Sequence, residues 1–242
     1  AGEWPGFINV PTGAGKTSLI DIALYELVRD GGRSVPRRIV LVVDRRVIVD
    51  QVGERTLKIR KALESPTSDA TKEVAERLRE IVGPRAPLLQ TAVLRGASVR
   101  DDAWAKWPQV PVIGASTVDQ VGSRLFFRGY GVSDSMRPVH ASLLGCDTLL
   151  LLDEVHLSQA FADVLDQLER LRGREGEGGI PRRFRVVQLS ATPHGGAEKK
   201  KVFSLSRSDR EGDDDATREL NRRLSASKPA RLVRIQVKAN AP

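Results

Sequence analysis

The sequence predicts a doubly wound α/β fold: a parallel sheet with helices on both faces. Three observations predict it. Short runs that are apolar throughout recur at 7–10, 38–43, 88–93, 110–115, 148–152 and 184–189, which is how strands buried on both faces read. Helical patterns fill the gaps between them, at 16–29, 45–63, 71–82, 118–127 and 160–172. Alternation at this spacing favours right-handed crossovers over hairpins. A glycine-rich turn, Pro11-Thr12-Gly13-Ala14-Gly15, joins the first strand to the first helix.

Each element has a local reason. Val, Ile and Leu dominate 38–43, 110–115 and 148–152, and such side chains pack well on a pleated surface. The helix at 16–29 begins where the glycine-rich turn ends. Residues 64–87 hold a charged amphipathic helix between Pro66 and Pro84, expected as an insertion. The Gly/Glu/Arg stretch 173–181 reads as a loop. After Pro193 the composition turns polar, with Lys199–Lys201 and Asp213–Asp215, and an alternating run at 231–237 can form an edge strand. The expected division is therefore a nucleotide-binding domain over 1–193 and a polar tail or linker over 194–242.

Composition narrows the class. The 242 residues include 40% hydrophobic side chains, enough for a sizeable core. No apolar stretch approaches the roughly 20 residues a membrane-spanning helix needs. The first residues lack the basic start and apolar core of a signal peptide, and the absence of an initiator Met is expected of a piece of a longer chain. One cysteine excludes an internal disulfide, and a cytoplasmic setting is expected. The net charge of +8, carried more by Arg than Lys, suits a polyanionic partner or reflects Arg-favouring codons.

Three signatures carry the chemistry. In Val10-Pro11-Thr12-Gly13-Ala14-Gly15-Lys16-Thr17-Ser18 the glycines let backbone N–H groups curl around phosphate oxygens, and the helix start adds its positive dipole end. Residues 11–18 are the candidate ATP cradle, with Lys16 on the β/γ-phosphates and the Thr17 hydroxyl on Mg²⁺. Val10 stands where the general pattern has Gly. The second signature, Asp153-Glu154-Val155-His156, follows a buried strand. Asp153 would hold Mg²⁺ and Glu154 would orient or deprotonate the attacking water. The third, Ser190-Ala191-Thr192, follows the strand at 184–189, and its hydroxyls can couple to His156. Catalysis is thus assigned to Lys16, Asp153 and Glu154, and coupling to His156, Ser190 and Thr192.

Asp-Glu-Val-His resembles the DExH box of superfamily-2 helicases, many of which read Pro-Thr-Gly-x-Gly-Lys-Thr without the first glycine. The texts at 42–51, 94–96, 114–120 and 151–158, with Trp104 and Trp107, resemble the helicase region of the CRISPR-associated helicase-nuclease of type I systems. Ser123-Arg124-Leu125-Phe126-Phe127-Arg128-Gly129-Tyr130-Gly131 is similar to the subtype once called I-U. The likeness covers about 7–193 and implies the first RecA-like domain of a P-loop motor. It implies single-stranded DNA as partner, contacted by Arg45, Arg46, Arg95, Thr117, Asp119 and Gln120. It further implies a second RecA-like domain, a nuclease domain and an RNA-guided CRISPR surveillance complex. Arg45-Arg46 also fits a solvated helix start, and the two Trp fit core packing. No second-domain arginine segment and no His-Asp doublet of a metal nuclease occurs here. Another DExH helicase, for repair or RNA, and a nucleotide-dependent switch that never translocates are the alternatives.

Overall fold

The computed structural model describes residues 4–96, 102–173, 183–191 and 201–226. They form seven strands: β1 (Phe7–Asn9), β2 (Arg38–Val43), β3 (Gln90–Leu94), β4 (Val112–Thr117), β5 (Asp147–Leu152), β6 (Arg183–Ser190) and β7 (Val202–Ser204). All pair in parallel, in the order β3-β4-β2-β5-β6-β1-β7. The helices are α1 (Leu19–Asp30), α2 (Arg46–Glu64), α3 (Asp69–Val82), α4 (Val118–Leu125), α5 (Arg137–Cys146), α6 (Gln159–Gly173), α7 (Ser208–Glu211) and α8 (Asp215–Leu224).

The predicted class is the observed one. All six residues of β2 are buried, because the sheet is covered on both faces. Val40 and Val42 join one core with Leu144 of α5, Val121 of α4 and Leu165 of α6. Their neighbours Ile39 and Leu41 point the other way, toward the side where α1 and α2 pack. No helix among the described residues is long and apolar enough to cross a membrane.

Two close approaches fix this packing. A Cβ on Gly114 would lie 2.5 Å from the Ala92 carbonyl oxygen in the neighbouring strand. One on Gly53 of α2 would lie 2.8 Å from Val93 Cγ2. Gly114→Ala is therefore expected to cost about 2–3 kcal/mol through overpacking, lowering the melting temperature by roughly 4–12 °C. A thermal melt checks this.

The structure adds elements that the sequence pattern did not mark. α5 begins with Pro138 in its first turn, within a stretch rich in turn formers. β7 pairs with β1 from Phe7↔Val202 to Asn9↔Ser204, so the sheet continues past the expected boundary at 193. The first compact unit ends at Ser204 and the second comprises Leu205–Pro242. Within the second, Asp214 caps α8 by accepting from the Thr217 N–H, and Asn221 Nδ2 donates to the Arg210 carbonyl at 2.7 Å. The predicted helix at 16–29 opens as a 3-10 turn, Lys16–Ser18. The expected insertion is α3, capped by Ser68 and packed on α1 and α2. The run at 231–237 lies outside the described residues.

Candidate nucleotide and nucleic-acid site

Parallel register lines up the strand ends. Val43 lies opposite Thr117, Leu152 opposite Gln188, and Asn9 opposite Ser190. The segments that follow these strands therefore share the carboxyl end of the sheet, where doubly wound folds place ligands.

The cradle is built by backbone geometry. Gly13 and Gly15 have φ of 92° and 90°, in the left-handed region that favours glycine. The Ala14 N–H donates to the Pro11 carbonyl at 3.2 Å and closes the turn. No side chain caps the helix start at Gly15 or Ser18; the Ser18 N–H donates to the Gly15 carbonyl at 2.8 Å, and the N–H groups before it face the turn where an anion is favoured.

Lys16 Nζ lies 3.6 Å from Asp153 Oδ1 and 3.3 Å from Glu154 Oε1, with its side chain only 8% exposed. Residues far apart in sequence thus meet at one point. Burial raises the Asp153 pKa; the Lys16 charge opposes that rise and the Glu154 charge adds to it. Asp153 Oδ1 also accepts the Glu154 N–H at 3.0 Å. Glu154 has φ 48° and ψ 51°, one of two described non-glycine residues at positive φ. Such strain persists only where its surroundings hold it. His156 Nδ1 lies 3.4 Å from Glu154 Oε2.

These groups fit a magnesium-nucleotide. The glycine turn leaves backbone donors free, Lys16 supplies a cation, and Thr17 with Asp153 supplies two hard oxygen ligands. Among the described residues no cluster of three His, Cys, Asp or Glu could hold a metal alone. A magnesium ion would complete its shell from phosphate oxygens and water. Beside the carboxylates, a cavity of about 360 Å³ is lined by Asp44, Arg45, Ile48, Glu154, His156 and Leu157, among others. Asp44, Ile48 and Leu157 belong to no chemical signature in the sequence, although Asp44 directly precedes the Arg45-Arg46 pair.

The predicted nucleic-acid residues divide into two groups. Arg45 and Arg46 are exposed at the start of α2. Arg95 Nε pairs with Asp50 Oδ1 at 2.6 Å, and the Arg46 guanidinium lies across Gly96. Asp119 is exposed. Thr117 and Gln120 are buried instead, and the Gln120 side-chain oxygen accepts from Arg124. Ser190 is fully buried at the end of β6. Thr192 lies outside the described residues.

The tryptophans behave as core and surface rings. Trp104 is buried against His140, with ring centroids 4.8 Å apart, while Trp107 is 39% exposed. Neither His140 nitrogen makes a hydrogen bond among the described residues, although Nε2 is 3.4 Å from Asp102 Oδ1. Burial lowers the His140 pKa; Asp102 opposes this and Arg124 adds to it. The unfolded imidazole binds its proton near pH 6.5 and the folded one resists it. Stability is thus full above 6.5 and falls as pH drops below it. His140→Phe is expected to flatten that fall in melting temperature between pH 7.5 and 5.5.

The fold and the P-loop at its strand ends define a RecA-like domain of the helicase type. The family model for the type III restriction enzyme, res subunit, matches residues 1–195. The chain belongs to that family. Two solved structures of an S. cerevisiae Dbp5 variant also match. One, bound to a Gle1 variant and IP6, is 16% identical with a TM-score of 0.39, covering 84% of this chain and 42% of that one. The other, bound to Nup159, a Gle1 variant, IP6 and ADP, is 14% identical with a TM-score of 0.41, covering 84% and 44%. This chain therefore spans less than half the length of either. A comparison with curated proteins gives no match.

Proposed function

We propose that this chain is the first motor domain of an ATP-dependent helicase that moves along single-stranded nucleic acid. The observation that carries the reading is Lys16 Nζ within 3.6 Å of both Asp153 and Glu154. In this reading residues 11–18 hold the triphosphate and Lys16 neutralises its terminal oxygens. Thr17 and Asp153 would hold Mg²⁺, which would supply charge neutralisation at the phosphates. Glu154 orients water for in-line attack and takes its proton. His156, against Glu154, relays the change, with Ser190 and Thr192 as its coupling partners. Arg45, Arg46, Arg95 and Asp119 line the strand path; Thr117 and Gln120 support it from within.

Residues 194–242 are assigned to the connection with a second RecA-like domain, which supplies the arginine finger. Such a finger is worth about 10³-fold or more, so this chain alone binds ATP and hydrolyses it slowly. The finer reading is the helicase part of a type I CRISPR helicase-nuclease acting on DNA in the cytoplasm. It rests on the sequence text at 42–51, 94–96, 114–120 and 151–158, and its nuclease site lies outside this chain.

The test is ATP hydrolysis by the full-length parent protein alone, with single-stranded DNA and with single-stranded RNA, beside Lys16→Ala. DNA stimulation that Lys16→Ala abolishes is the expected result. Stimulation by RNA alone moves the assignment to an RNA helicase. ATP binding with no stimulation by either polymer makes it a nucleotide switch and overturns the motor.

A further inference from the structure

The segment after α4 belongs to the sequence signature at 123–131, which the nucleotide site leaves unused. Phe126, Phe127 and Tyr130 are 49%, 60% and 64% exposed. Three rings in five residues face solvent, where burying any one of them would be favourable. The backbone is built to keep them there. Phe127, Gly129 and Gly131 have φ of 59°, 50° and 75°, so the chain turns tightly, and the Arg128 and Gly129 N–H groups both bond back to the Ser123 carbonyl. Phe127 is the second described non-glycine residue in the left-handed region, a strain of the kind that marks functional loops. Arg128 is exposed, and among the described residues its side chain makes no ion pair or hydrogen bond.

The position of this loop separates it from the nucleotide. Phe127 lines a cavity of about 240 Å³ together with Leu125, Gly145, Cys146, Leu168 and Phe184. Cys146 directly precedes β5, and Phe184 sits between Arg183 and Arg185 at the start of β6. The cavity therefore lies at the amino ends of the strands, opposite Lys16 and Glu154. That end is rich in guanidinium groups. Arg37, Arg38 and Arg183 all reach the single carboxylate of Asp147, at 3.4, 3.7 and 3.2 Å. Arg38 also donates to the Asp147 and Pro108 carbonyls and Arg183 to those of Gly32 and Arg33, so this cluster is satisfied within the fold, and the exposed Arg128 is the cation that the loop itself presents.

We propose that this end of the domain is a second nucleic-acid face, which takes single-stranded nucleic acid by stacking. Every base has a π-face, so exposed aromatic rings bind strands without reading sequence. The exposed Arg128 guanidinium between them can hold a phosphate. The cavity under Phe127 gives the ring room to shift when a base lies on it. This face is distinct from the strand path of the motor and does not depend on it. A strand leaving the motor, or a separate strand of the same substrate, fits this chemistry.

Fluorescence anisotropy of labelled oligo(dT) and oligo(U) with the 242-residue chain tests the assignment. Phe126→Ala/Phe127→Gly/Tyr130→Ala is expected to weaken binding about tenfold or more, and the ratio of the two oligomers tells DNA from RNA. Glycine at 127 accepts the observed φ, so the loop backbone is preserved. Arg128→Gln, at an exposed side chain without partners, cannot act by unfolding, and is expected to reduce the salt slope of binding by about one. Ultraviolet crosslinks mapped by mass spectrometry are expected within 126–130. Binding of a fluorescent ATP analogue stays at the wild-type level in both variants. Crosslinks confined to 44–46 and 95–96, with unchanged affinity in both variants, would assign the patch to a protein partner and overturn the proposal. Failure of both oligomers to bind would overturn it too. Neither outcome touches the ATP-hydrolysis test of the motor.

Discussion

Glu154→Gln is expected to lower nucleic-acid-stimulated ATP hydrolysis about 10³-fold in the full-length parent protein, while nucleotide affinity changes only a few-fold. A positioned general base contributes roughly 10²–10⁴ in rate, and Gln matches the shape of Glu but cannot take a proton. Lys16 keeps Asp153 at 3.6 Å as its partner, so the phosphate cation stays in place. The left-handed backbone at 154 is equally strained with either side chain, which removes conformation as a rival cause. Lys16→Ala should differ by losing nucleotide affinity as well as stimulated turnover. It deletes a charge-assisted contact worth about 1.5–3 kcal/mol, or roughly ten- to hundred-fold in nucleotide Kd. Measuring Kd and turnover on both variants separates the roles. Hydrolysis within tenfold of wild type for Glu154→Gln would place the base elsewhere.

The second large effect concerns folding. Asp147→Ala is expected to destabilise the domain by about 3–5 kcal/mol, because it strands a buried charge. Arg38 is only 5% exposed in its side chain and reaches Asp147 Oδ2 at 3.7 Å. Its other guanidinium bonds go to the carbonyls of Asp147 and Pro108. Burial already lowers the Arg38 pKa, with Asp147 the main opposing influence. Asp147 also accepts the Arg37 backbone N–H at 3.1 Å and binds Arg183, so it ties the starts of β2, β5 and β6 together. Arg38→Met in the same background should return part of the loss, since the buried charge then disappears with its partner. Denaturant unfolding of the single and double variants measures both. A single-variant cost below about 1 kcal/mol would rank the cluster with screened surface pairs.

What could be read in advance follows from how far apart the cooperating residues lie in the chain. Buried strands announce themselves by unbroken Val, Ile and Leu runs, and the run at 38–43 coincides with β2 to the residue. The residues of the glycine turn and the Asp153-Glu154 pair stand out in the sequence because phosphate and metal chemistry demands particular residue types at fixed short spacing, and the structure brings Lys16 to both carboxylates. β7 does not stand out, since its three residues are all exposed and carry no burial pattern. The Asp50–Arg95 and Asp147–Arg183 pairs join residues from different elements, and no periodicity encodes such a meeting. The inward turn of Gln120 was equally hidden. It depends on Arg124 one helical turn later, whose burial only the packed α4–α5 face decides.

The seventh strand bears on how the domain can be handled as a reagent. The family match stops at residue 195, and a fragment trimmed there would lose Val202–Ser204. β1 would then become a naked rim, with the Phe7 N–H that now donates to the Lys201 carbonyl left open to any passing chain. The same three-residue strand leads into the glycine-rich turn at its far end. Trimming to the matched region would thus convert β1 into an aggregation template, and the shortest fragment worth expressing runs through at least Ser204.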